Sequence, residues 1–137
     1  MERGVIVRGI ILGVAAMLAV AAAAAVWGLF YSVAIAPGHD GPHYQAYGRG
    51  VAPLAAIVAG LPILLGSGWL AARGARPMAA ALIPALTYVL LDLVLTAIGG
   101  IWPPSWALAL SWLSKLAVAW AGGWLATRRK RYSPAAP

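Results

Sequence analysis

Residues 9–36 read GIILGVAAMLAVAAAAAVWGLFYSVAIA, a run from Gly9 to Ala36 without an acidic, basic or histidine side chain. An α-helix rises about 1.5 Å per residue, so about 20 apolar residues cross the roughly 30 Å of hydrocarbon in a bilayer. This run exceeds that length, and no small water-soluble domain has room to bury such a segment all round. A secretory signal peptide is the competing reading, because Arg3 and Arg8 precede the run and Ala21–Ala25 offers small residues for cleavage. The apolar stretch is too long for that, and Trp27, Phe30 and Tyr31 fall where an interfacial aromatic belt belongs. The expectation is an uncleaved first membrane helix.

Working outward, three more runs have the same character. Gly50–Ala72 carries no charge, Pro77–Gly100 carries only Asp92, and Ser105–Thr127 carries only Lys115. Of the 137 residues, 63% are hydrophobic and 9% charged, against roughly 25% charged in soluble proteins. Segments of about 10 alternating residues, the mark of a membrane β-barrel, are missing. The reading is an all-α, four-transmembrane-helix antiparallel bundle forming a single membrane domain over 1–137. The short connections at Arg73–Pro77 and Gly99–Pro104 make consecutive helices antiparallel neighbours. Between the first two spans, Pro37-Gly38 and Gly41-Pro42 are turn signals. Proline suits a first helical position, which predicts a short interfacial helix over His43–Arg49. Tyr132–Pro137 reads as a disordered tail.

Lys and Arg are distributed unevenly among the ends and loops. Arg3, Arg8, Arg73, Arg76, Arg128, Arg129, Lys130 and Arg131 fall on one side, and Arg49 alone on the other. Positive charge collects on the cytoplasmic side, so both termini are expected there, in a multi-pass protein of a bacterial plasma (inner) membrane. The net charge of +7 therefore belongs to membrane orientation. A nucleic-acid surface would interleave basic and aromatic residues on a polar face, and this chain does not.

Asp92 and Lys115 stand inside apolar spans, where each charge costs on the order of 2.5–3.5 kcal/mol on insertion scales. Reflecting the third and fourth spans across Pro103-Pro104 sets them at similar depth. Tyr88, Asp92 and Thr96 recur every fourth residue, as do Ser111, Lys115 and Ala119, which gives each trio one helical stripe. The expectation is a polar seam in which Asp92 and Lys115 form an ion pair. The hydroxyls of Tyr88, Thr96 and Ser111 would satisfy the remaining hydrogen-bonding capacity. Pro62 frees the carbonyl of Val58 as a further acceptor for Lys115. Such a seam serves either as a structural clasp or as a proton or ion relay, and the charge balance favours the clasp.

Other chemistry is thin. The chain has no cysteine, which excludes disulfides and thiolate sites. His39, Asp40 and His43 are weak candidates for a metal, because Gly41-Pro42 keeps the two imidazoles off one helical face. No histidine lies within a span to hold haem, and no cofactor is expected. No paired acids, nucleophile–histidine set or phosphate-binding glycine loop is present. Gly9-x-x-x-Gly13 matches the close-packing motif of membrane helices and reads as ordinary internal packing. The Arg128–Arg131 run reads as an anchor touching anionic headgroups.

Length and four spans are similar to those of small multidrug-resistance transporters. Those carry an essential carboxylate in the first helix, where Gly9–Ala36 has none, so no role is carried over. The function expected is a non-enzymatic accessory, scaffold or sensor component. Its partners would be the lipid bilayer and, through uncharged small-residue faces, a second copy or another membrane protein. The alternative is a small-ion or proton transporter using Asp92.

Overall fold

A computed structural model of the chain describes residues 2–73, 78–99 and 106–128, apart from the side chains at 52, 53 and 55. The turn at Pro103-Pro104 and the tail Tyr132–Pro137 lie outside the described residues. Within them the fold is all-helical, without a strand. Helix α1 covers Arg3–Phe30 and continues as a π-helical turn, Tyr31–Ile35. Helix α2 covers Gly41–Ala72. A 3-10 turn at Met78–Ala81 leads into α3, Leu82–Ile98, and α4 covers Trp106–Arg128. Pro84 enters α3 within its first turn, where a backbone N–H has no intrahelical partner to lose.

The segment read as a separate short helix at His43–Arg49 is instead the first arm of α2. Asp40 caps it, accepting a hydrogen bond from the His43 N–H at 3.1 Å, and Pro42 occupies the first turn. The two arms, Gly41–Val51 and Ala56–Ala72, meet at 51°. Pro53 falls in that break and has no N–H to give to the helical ladder.

The contacts fix the direction of each helix. Arg8 of α1 donates to the Leu70 carbonyl of α2 at 3.3 Å, and Trp27 donates to the Tyr47 hydroxyl at 3.0 Å. These helices therefore run antiparallel. So do α3 and α4, where Tyr88 meets Lys115 and the Cβ of Ala81 lies against Gly123. Gly9 and Gly13 of α1 lie against Ile83, Pro84 and Thr87, which makes α1 parallel to α3. Gly60 lies near Lys115, Gly68 on Ala119 and Ala72 near Gly123, so α2 is parallel to α4. The molecule is two antiparallel hairpins laid side by side.

Its largest helix–helix contact joins α2 to α4, while the consecutive pair α2 and α3 touches sparingly. Consecutive helices do touch, as the short connections lead one to expect, and the α2–α4 contact exceeds each of theirs. Missing side chains explain it. A Cβ on Gly68 would strike the Ala119 backbone, and one on Gly122 the Leu65 carbonyl, so these two backbones rest directly on each other. A Cβ on Gly13 would fall 2.6 Å from Thr87 Cβ, giving Gly9-x-x-x-Gly13 the same role between α1 and α3.

The core is built mainly of small side chains, with Ala16, Val20, Leu64, Ala85, Tyr88 and Ala119 drawn from all four helices. The large apolar residues point outward, among them Leu18, Leu29, Leu90, Ile98 and Leu113. A fold in water would invert that arrangement. Among the described residues, Arg3–Ile35 and Met78–Ile98 are long and apolar enough to cross a membrane, and α2 makes a third span if its two arms count as one. Helix α4, which carries Ser111, Ser114, Lys115 and Arg128, is less apolar.

Candidate functional site

Lys115 points from α4 into the middle of the helices and is 1% exposed. Its stem passes Gly60 of α2: a Cβ on that glycine would lie 3.7 Å from Lys115 Cε and 3.8 Å from Val20 Cγ2 of α1, ordinary van der Waals distances. The ammonium lies 4.4 Å from the centre of the Tyr88 ring, a cation–π distance, and 3.9 Å from Asp92 Oδ2. The second distance is that of an ion pair, longer than a hydrogen bond.

The same carboxylate oxygen accepts a 2.7 Å hydrogen bond from Trp112 Nε1. Trp112 stands three residues before Lys115, on the same stripe of α4. One oxygen of Asp92 thus faces a neutral donor and a cation from a single helix. Charge-assisted hydrogen bonds are the strong ones, and in a low-dielectric interior they hold the acceptor firmly in place. Asp92 itself is 25% exposed, at the lip of the seam between α3 and α4.

The remaining seam residues take other parts. Tyr88 is buried and offers its ring face. Thr96 is buried and donates at 2.7 Å to the backbone carbonyl of Asp92, one turn back on its own helix, so its hydroxyl is spent locally. Ser111 is buried, and its carbonyl accepts from Ser114. The side chain of Val58, whose carbonyl is the further acceptor expected for Lys115, is 74% exposed, and the ammonium contacts seen are those with Asp92 and Tyr88. Trp112 is the residue the sequence reading passed over. Tryptophans near the ends of apolar runs read as belt anchors, but an indole inside an apolar helix needs a partner for its N–H, and that is the available signal.

At the opposite end of α1, the rings of His39 and His43 stack with centres 4.2 Å apart. The Asp40 carboxylate is engaged as the cap of α2. Among the described residues no three side chains of the metal-binding types converge, so His39, Asp40 and His43 do not assemble into a coordination set. Tyr31 instead lies parallel to Tyr47 at 3.4 Å and within 3.5 Å of His43 Nε2, joining the π-helical turn to the first arm of α2.

Compared with known protein families, curated proteins and solved structures, the chain matches none of them. The reading of function therefore rests on the site itself.

Proposed function

We propose that this is a non-enzymatic integral membrane protein, a four-span bundle serving as a scaffold, accessory or sensor component, in which Asp92–Lys115 is a structural clasp. The observation that carries this reading is the lysine: 1% exposed, over Tyr88, beside a carboxylate that Trp112 also holds. A cation-transport site needs a carboxylate able to exchange partners, and this one is balanced by a charge that cannot leave. Helix α4 counts as the fourth span. Its 23 residues reach about 34 Å at 1.5 Å per residue, and the charge in its middle is turned inward and paired.

Both termini are proposed to be cytoplasmic, in a bacterial plasma membrane, because Arg3, Arg8, Arg73 and Arg128 gather at one end of the hairpins. A second copy or another membrane protein is the proposed partner, received on uncharged helix faces.

One observation favours a second reading, a proton or small-cation carrier: Asp92 is 25% exposed where α3 and α4 part. Flux into proteoliposomes separates the two. The clasp reading expects no proton or monovalent-cation uptake above that of protein-free vesicles, from the wild type or from Asp92→Asn. Uptake by the wild type that Asp92→Asn abolishes, with its helicity intact, establishes the carrier instead.

A further inference from the structure

A groove of about 500 Å³ runs between α2 and α4. Pro62, Leu65, Gly66 and Trp69 line it from α2, and Leu125 and Arg128 from α4. Gly66 is what opens it. Unlike Gly68 and Gly122, which packing requires, Gly66 has nothing within 4 Å of where its Cβ would stand. The glycine relieves no clash and clears space beside an apolar wall.

The basic end of the groove is fixed by aromatic rings. Arg128 holds its guanidinium 3.7 Å above the Trp124 ring, and Arg73 sits 4.9 Å above Trp69. Apolar lining over the eight residues from Pro62 to Trp69, about 10 Å of helix, thus leads up to guanidinium groups at the end where the chain's positive charge collects. We propose that this groove binds one anionic phospholipid, with the upper part of an acyl chain along Pro62, Gly66 and Leu125 and the phosphate on Arg128. Guanidinium matches phosphate in geometry and charge, and an acyl chain matches the lining. A basic run alone gives only general attraction to headgroups; the groove adds a place for one molecule. The proposal rests on the membrane reading above.

The test is thermal unfolding of the purified protein in detergent with added phosphatidylglycerol, phosphatidylcholine or free glycerol phosphate. The expected result is a rise of several degrees in Tm with phosphatidylglycerol alone. That rise should vanish in Gly66→Leu, which fills the groove, and fall by at least half in Arg128→Gln. Should Gly66→Leu lower the lipid-free Tm, Leu125→Trp closes the groove from the other wall and takes its place. Equal shifts with phosphatidylcholine, a shift with glycerol phosphate, or a full shift retained in either variant overturns the proposal. Failure of the membrane reading shows separately, as protein recovered from cells in the soluble fraction without detergent.

Discussion

Asp92 and Lys115 differ in how much each depends on the other, and the difference is measurable. Lys115 is 1% exposed, so Asp92→Asn strands a cation with Tyr88 as its main consolation. Lys115→Met leaves a carboxylate that is 25% exposed and still bonded to Trp112. Breaking a buried pair from one side costs about 3–5 kcal/mol. We expect Asp92→Asn to reach that range and Lys115→Met to fall below it. The double replacement should cost less than the sum of the two, because no unpaired charge remains. Thermal unfolding of the four proteins in detergent checks this, and additive losses would remove the pair from the account. A second contrast involves no charge. Gly68→Ala and Gly122→Ala push a methyl into facing backbone and should each cost about 1–3 kcal/mol. Gly66→Ala, into open space, should be neutral or gain up to about 1 kcal/mol from helix propensity.

The second helix shows what a sequence discloses and what it withholds. Asp40 and Pro42 announce its start by local chemistry, a side-chain acceptor for a free N–H followed by a residue with none to offer, and the structure begins α2 there. Asp40→Ala should therefore cost about 1 kcal/mol and speed hydrogen exchange at Tyr44–Tyr47; unchanged exchange there would deny the cap a role. The same stretch reads as a separate short helix because Gly41-Pro42 starts a helix before His43 and the charge-free run of the second span begins only at Gly50. The helix nonetheless continues through a 51° bend, since tertiary packing overrides propensity. The π-helical turn at Tyr31–Ile35 leaves no local trace, as its register depends on Tyr31 stacking upon Tyr47 from another element. Position along a helix is legible in the seam: counting back from a turn needs only the rise per residue, and it sets position 92 opposite position 115, where the ion pair stands. Which helices pair was not. Glycines mark a face that permits close approach without naming the helix that approaches, so the dominance of α2–α4 over α2–α3 emerges only in three dimensions.

At the scale of the molecule, two unlike ends follow from laying the hairpins side by side. One end gathers Arg8, Arg73 and Arg128, with Trp69 and Trp124 beneath two of the guanidinium groups. The other gathers Trp27, Tyr31, His39, His43, Tyr44 and Tyr47, with Arg49 as its single Lys or Arg among the described residues. Lys and Arg resist transfer across an energised membrane, whereas aromatic residues settle at either interface, and for that reason the orientation we propose puts the charged end in the cytoplasm. Single cysteines test this cleanly in a chain that has none of its own. Introduced at Arg3 and at Thr127, they should react with an impermeant maleimide only after the cells are opened. Introduced at Gln45, on the exposed first arm of α2, one should react in intact cells. The three sites separate the possible errors. Labelling of both Arg3 and Thr127 from outside, with Gln45 protected, means the whole molecule is inverted. Labelling of Thr127 alone means that α4 does not cross, and the paired charge at Lys115 then belongs to a helix lying on the membrane rather than in it.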